Sequence, residues 1–335
     1  MKLKNTILAG LLVIATLPAQ AQNIVGAGAT FPNPLYQKWS MLAKPSGIEI
    51  NYQSVGSGAG QTQIKNRTVD FGASDAPMKP EDLEKHKLVQ FPAVMGSLVP
   101  IVHIPGITNN QLKLTGTLLS DIYLGKITRW NDPQIQAVNP TLNLPNLVIS
   151  VIYRADGSGT TWIWTKYLSK TSQEWAGRVG FATSVKWPAG SGSKGNEGVS
   201  ASVKQLVGSI GYVESAYAKL GKLVITQLRN QQGNFVAATQ ENFIAAAQHA
   251  DWNVAGMAAD LIDQPGENSW PIVSPTFVLV PRDPKNPATL QTVLRFFDWT
   301  MTHGDAAAQE LDYVPLPLQV KNLVRDTWKA QGLAN

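Results

Sequence analysis

Between Leu147 and Leu168 the chain changes its hydrophobic period within a few residues. Leu147-Val148-Ile149-Ser150-Val151-Ile152 is a short apolar run rich in β-branched residues, the pattern of a buried strand. Tyr153-Arg154-Ala155-Asp156-Gly157-Ser158-Gly159-Thr160-Thr161 then turns the chain, and Trp162, Ile163, Trp164, Tyr167 and Leu168 follow at helical spacing. A strand that feeds a helix through a turn of small residues argues for α/β architecture. It also places chemistry at the turn. The first N–H groups of a helix lack intrahelical partners and carry partial positive charge, so they suit an oxyanion. Arg154, at the end of the strand, adds a planar fork that can hold two oxygens.

The same arrangement recurs upstream. Asn23-Ile24-Val25 leads into Gly26-Ala27-Gly28-Ala29-Thr30-Phe31-Pro32, and Leu35, Tyr36, Trp39 and Leu42 then share a helical face. That turn can present the Thr30 hydroxyl and the Thr30 and Phe31 amides. Ile48 to Val55 reads as a strand, followed by a glycine turn carrying Ser57 and a helix near Gln61 to Asn66. Val69 to Ala73 reads as a short buried strand, ending in a turn that carries Asp75. Taken singly, each turn is better explained as a loop that needs glycine, with Asp75 equally well a turn residue or helix cap and Arg154 readable as a surface ion-pair partner. Two long apolar stretches, Phe91 to Ile104 and Trp270 to Val280, are candidates for crossing between domains. The glycine-rich run 189–198 reads as a structured loop, because Ser209 to Val213 resumes a strand. Leu290, Val293, Leu294, Phe297 and Met301 mark one C-terminal helix, and Val320, Leu323, Val324 and Trp328 another.

Residues 1–21 have the form of a secretory leader. Lys2 and Lys4 precede an apolar stretch from Thr6 to Leu17, and Ala19-Gln20-Ala21 is a small-x-small cleavage signal. Cleavage is expected after Ala21, with export to the periplasm or beyond. The chain has no cysteine, so a core rather than disulfides must hold it, which is feasible at 335 residues. No later apolar run is long enough to span a bilayer. The formal charge of +5 is spread along the chain, which argues against a nucleic-acid stripe.

Taken together, the segments resemble the periplasmic phosphate-binding protein of the high-affinity phosphate ABC importer. The matching segments are GAGATFP (26–32), VDFGASDAP (69–77), DIYLGKI (121–127), RADGSGT (154–160), VKWP (185–188), KGNEG (194–198), GYVE (211–214), WPI (270–272), RFFDW (295–299) and LDY (311–313), in the family's order. The resemblance implies an α/β, two-lobed class II binding-protein fold with a ligand cleft between the lobes and a two-segment hinge. It implies a first lobe at 22–95 plus 275–335 and a second at 96–274. The implied phosphate ligands are Thr30, Phe31 (through its backbone N–H), Ser57, Asp75, Arg154, Ser158, Gly159 and Thr160, with Asp156 holding the arginine. The implied partners are inorganic phosphate and the permease and ATPase subunits of an importer. No cofactor, metal, nucleic acid or stable membrane insertion is expected, and the protein is expected to be monomeric. The turn SVGSGAG has one serine where many relatives have two, so Gly58 is expected to loosen it.

The chemistry of such a set is coherent. Phosphate near neutral pH always carries at least one proton, and sulfate carries none. A buried carboxylate such as Asp75 can accept that proton but meets a sulfate oxygen lone pair to lone pair, at a cost of about 1–3 kcal/mol or more. Arsenate carries the same protons as phosphate and remains an alternative ligand; sulfate and molybdate are disfavoured. An exported enzyme acting on phosphate esters is the main rival. Ser158 lacks a nucleophile elbow, however, because Asp156 stands where Gly-x-Ser-x-Gly needs its first glycine. His86, His103, His249 and His303 are scattered rather than clustered as metal ligands. An exported adhesion protein that kept the fold, or a carbohydrate platform built on the ten tryptophans, fits the complete ligand set less well.

Overall fold

A computed structural model describes residues 22–334. The expected leader and its cleavage site lie outside the described residues.

The first three strands, β1 (Gln22–Gly28), β2 (Ile48–Ser54) and β3 (Phe71–Ser74), run parallel in the spatial order β2-β1-β3. β4 (Leu88–Val102) is a fifteen-residue strand buried throughout. β5 (Lys113–Leu114) belongs to a small separate sheet. β6 (Ser150–Arg154), β7 (Ser191–Ser193) and β8 (Ser209–Glu214) form a second parallel set, in the order β8-β6-β7. β9 (Val224–Ile225) pairs with β4, whereas β10 (Gln227–Arg229) and β11 (Phe235–Val236) complete the small sheet with β5. β12 (Val273–Pro281) lies antiparallel between β3 and β4.

β4 joins the two parallel sets. It pairs with β12 from Leu88 to Ser97 and with β8 from Leu98 to Val102. The two apolar stretches picked out in the sequence are therefore adjacent strands, β4 and β12. Their continuous burial explains their lack of alternation, because both faces are covered. The turns that follow β1, β2 and β3 carry Thr30, Ser57 and Asp75, and those that follow β6 carry Ser158, Gly159 and Thr160. Ligand sites of open α/β sheets form at such carboxyl ends.

Each half has its own aromatic core. Tyr36, Tyr52, Phe71 and Phe297 interlock in the first, with ring centroids 4.9–6.5 Å apart. Trp164 stacks on Tyr212 at 4.9 Å in the second, with Tyr123 against both. Emptying such a ring site costs about 3–5 kcal/mol. Tyr212 also links core to function: its hydroxyl accepts the Arg154 N–H at 3.2 Å and bonds Thr161 Oγ1 at 2.7 Å.

Two elements differ from the sequence reading, and a third, the run 189–198, is structured as read. β6 begins at Ser150, not Leu147, and Val148 is 52% exposed. Residues 147–149 pair instead with the segment around Arg129, through Trp130 N to Leu147 O and Ile149 N to Thr128 O. The helix expected near Gln61 starts at Ser57, because the Gly58 and Gly60 positions are helical. The 189–198 run is ordered, as β7 and the first turn of the helix Gly195–Gln205. Among the described residues no helix is long and apolar enough to cross a membrane.

Candidate functional site

Thr30 and Phe31 follow β1, just before the helix Asn33–Ala43. Both are buried. Their carbonyls are held by two tyrosines from elsewhere in the chain, Tyr217 to Thr30 O and Tyr313 to Phe31 O, each at 2.6 Å. The turn is thus anchored through its carbonyl acceptors. Ser57 is the first residue of the helix Ser57–Lys65 and is fully buried. Its hydroxyl accepts the Asp75 N–H at 3.2 Å and lies 3.5 Å from Asp75 Oδ2.

Asp75 ends the β3 turn and is 1% exposed. It caps no helix. Thr276 of β12 donates to its Oδ1 at 2.7 Å, which leaves Oδ2 towards Ser57 and the cleft. Burial pushes its carboxyl up to about 7, against the pull of the Thr276 bond and the Arg154 charge. A carboxylate there is costly when bare and becomes useful when it meets a donor.

Across the cleft, Arg154 ends β6 and is buried. Asp156 accepts from its Nε at 2.8 Å and from its Nη2 at 2.6 Å. Burial works against the guanidinium's charge, but the Asp156 bonds outweigh it and keep the group ionised. Burial likewise opposes ionised Asp156, yet the Arg154 bonds and the Gly195 N–H hold its carboxyl below the ordinary range. The fork facing Asp156 is therefore spent. Nη1 donates to Thr160 Oγ1 at 3.2 Å. Of five guanidinium N–H bonds, this leaves one on Nη1 and one on Nη2, side by side at the tip. Ser158 caps the helix Gly159–Thr171 by accepting the Thr161 N–H at 3.0 Å, so its own hydrogen remains to donate.

The two sets of turns meet. A Cβ on Gly159 would sit 2.5 Å from Ser57 Oγ and 2.6 Å from Asp75 Oδ2, so only glycine allows this approach. Gly58 N donates to Gly157 O at 2.9 Å, and a Cβ on Gly58 would lie 3.2 Å from Gly157 Cα. The expected loosening at Gly58 is therefore corrected: the missing side chain lets the two turns bond backbone to backbone. The nine residues singled out in the sequence thus lie together where the two sets of turns meet, eight of them buried and Asp156 partly buried. This cluster combines hydroxyls, helix-start N–H groups, one cation tip and one acceptor, Asp75. That composition suits a tetrahedral oxyanion that carries a proton.

The sequence reading missed Asn196 as a member of the cluster and the exposed Glu197 at its edge. Asn196 is fully buried, and its Nδ2 reaches Thr30 Oγ1 at 2.6 Å. Glu197 Oε1 accepts from Ser54 at 3.1 Å and from Tyr217 at 2.9 Å. Both belong to KGNEG (194–198), which was noted only as a matching segment. Glu214 was missed as well. Burial drives its carboxyl well above the ordinary range despite the bonds from Tyr313 and the Ala216 N–H, both at 2.9 Å. A groove of about 900 Å³ between the two C-terminal helices, lined by Leu294, Arg295, Trp299 and Arg325, shares no residue with the cluster. Among the described residues no group of three or more His, Cys, Asp or Glu could hold a metal ion.

Residues 14–303 match the PBP superfamily domain. The chain is 54% identical over 323 residues to the phosphate-binding protein PstS of Haemophilus influenzae, covering 96% of this chain and 97% of that protein. It is 36% identical over 323 residues to the PstS of Methanocaldococcus jannaschii, covering 88% and 83%. Its fold is similar to that of a high affinity periplasmic phosphate-binding protein (PfluDING) bound with phosphate. The TM-score is 0.75 at 21% identity, over 91% of this chain and 93% of that one. A phosphate-binding protein from Stenotrophomonas maltophilia gives a TM-score of 0.65 at 18% identity, over 91% and 93%.

Proposed function

This chain belongs to the PBP superfamily and, within it, to the phosphate-binding PstS proteins, and from that premise we propose that the buried cluster is its phosphate site. The protein is a two-lobed binding protein that binds phosphate for ABC-type transport. In the proposed site Thr30, Ser57, Ser158 and Thr160 donate hydroxyl hydrogens, and the Phe31, Gly159 and Thr160 amides add N–H groups. Arg154 supplies the charge, and Asp156 holds it in place. Asp75 accepts the hydrogen bond that the ligand's own hydroxyl donates.

The observation that carries this reading is the buried Asp75 carboxylate, packed against the Gly159 turn and surrounded by donors. An anion with no proton leaves Asp75 facing a lone pair, whereas phosphate satisfies it in either ionisation state. Neutral donors spread the charge, so one arginine suffices. Binding without turnover is our reading of the role, supported by a serine that caps a helix rather than pairing with a base. The lobes are proposed to divide at 95/96 and 274/275, beside the point where β4 exchanges β12 for β8. We further propose export to the periplasm with cleavage after Ala21, a monomer in solution, and delivery to permease and ATPase subunits.

Calorimetry with phosphate, arsenate and sulfate tests the assignment. The expected result is phosphate affinity of about micromolar or tighter, ~−8 kcal/mol or better, weaker arsenate binding, and rejection of millimolar sulfate. Comparable sulfate affinity would remove both the role of Asp75 and the site.

A further inference from the structure

Thr30 and Thr160 lie on opposite sides of the cleft, and one side chain serves both hydroxyls. Asn196 Nδ2 is 2.6 Å from Thr30 Oγ1 and 3.4 Å from Thr160 Oγ1. The amide cannot be turned the other way. Its Oδ1 accepts the Glu214 backbone N–H at 3.0 Å, and a backbone N–H can only donate. The NH2 group therefore faces the two threonines.

Each threonine oxygen receives a second N–H. Thr30 Oγ1 accepts the Asn196 backbone N–H at 3.2 Å, and Thr160 Oγ1 accepts Arg154 Nη1 at 3.2 Å. A hydroxyl has one hydrogen and two lone pairs. With both lone pairs filled, each threonine can act only as a donor, and its hydrogen must go to a further acceptor. The cluster around them offers few. Thr160 bonds the Asp75 carboxylate, which also takes Thr276 on Oδ1, whereas Ser158 and Ser57 each take a backbone N–H.

We propose that Asn196 is a positioning residue for the anion site, which fixes the Thr30 and Thr160 hydroxyls as donors towards the ligand. The proposal rests on the phosphate reading above. It accounts for the dominance of Asp75 in selectivity. Hydroxyls free to rotate could accept a ligand proton as easily as give one, and would dilute the demand that Asp75 makes. Because the two threonines belong to opposite halves, one NH2 group can serve both only when the cleft is closed. Donor direction is then set by closure itself.

The test is calorimetric titration of the exported protein with inorganic phosphate, in the wild type and in a Thr30→Val/Thr160→Val background. Asn196→Leu keeps the volume and removes the amide. It should weaken phosphate about tenfold in the wild type and by less than about twofold where both threonines are already valine. Asn196→Asp keeps the bond from the Glu214 N–H but turns a donor into an acceptor. It should bind more weakly than Asn196→Leu, because the carboxylate draws the threonine hydrogens away from the ligand. Thermal melts establish that each variant is folded, and Asn196→Asp carries the test if Asn196→Leu is not. An equal loss on Asn196→Leu in both backgrounds would assign Asn196 a purely structural role and overturn the proposal. So would Asn196→Asp binding as tightly as wild type. A wild type that binds no phosphate would instead remove the functional reading on which the proposal stands.

Discussion

Replacing Asp75 by Asn should make the ligand-free protein more stable and the bound state weaker. In the folded protein the Asp75 carboxyl is pushed from 3.8 to about 7, chiefly by burial. The folded state thus holds this proton more tightly than the unfolded chain does. Ionised Asp75 therefore opposes folding. The penalty is absent below about pH 4, grows as pH rises towards 7, and is complete above that. The gap between 3.8 and about 7 corresponds to a ceiling of ~4 kcal/mol at alkaline pH. Asn is neutral at every pH and carries none of it. Ligand-free Asp75→Asn should then melt up to about 10 °C above wild type at pH 8 and level with it near pH 4. On the binding side, Thr276 Oγ1 donates to Oδ1, and a retained bond orients the amide oxygen towards Thr276 and its NH2 towards the cleft. That NH2 opposes the phosphate hydroxyl but suits a sulfate oxygen. Phosphate should weaken by about 1–3 kcal/mol, roughly ten- to a hundredfold, while sulfate gains. Scanning calorimetry from pH 4 to 8 without ligand, and titrations with both anions at pH 8, measure the two effects. A variant that melts below wild type at pH 8 would refute the burial argument. A variant with unchanged phosphate affinity and unchanged sulfate rejection would refute the role of Asp75.

Arg154→Ala removes the only guanidinium of the cluster and should cost about 2–5 kcal/mol of phosphate affinity by titration; unchanged affinity would show the site to be elsewhere. Asp156→Ala should cost less, because the arginine keeps its charge and its Thr160 contact; a loss equal to that of Arg154→Ala would contradict a merely orienting carboxylate. Gly159→Ala places a methyl 2.5 Å from Ser57 Oγ and should hold the cleft partly open. It should weaken phosphate at least about tenfold through lost cross-cleft contacts. Small-angle scattering should show wild type compacting on saturation with phosphate by a hinge motion and Gly159→Ala compacting less; equal compaction in both would refute the steric argument.

The α/β class was readable from the chain because the period of its hydrophobic residues is local. Each strand–turn–helix unit announces itself within about twenty residues, as in Leu147 to Leu168. The candidate residues Thr30, Ser57, Asp75 and Arg154 stand at or just beyond strand ends within those units, and the family resemblance rather than the local pattern joined them into one set. Boundaries were less readable. β6 starts three residues late because residues 147–149 are claimed by a partner near Arg129, a pairing no local pattern records. The helix at Ser57 starts early because Gly58, a poor helix former in isolation, is needed where Gly157 crosses it.

Local composition by itself settled the kinds of group on offer: hydroxyls, glycine amides, one arginine with a carboxylate two residues on, and one aspartate. Tertiary structure decided what each group can do. Asp75 became a costly, proton-hungry acceptor only when β3, β12 and the opposing Gly159 turn excluded water from it. Gly58 became a bonding contact rather than a gap only because Gly157, ninety-nine positions away, lies against it. The Thr30 and Thr160 hydroxyls acquired a direction only when Asn196, far from both in the chain, filled their lone pairs. Burial and hydrogen-bond direction depend on atoms within about 3 Å of a group, and in a closed cleft those atoms come from distant parts of the chain.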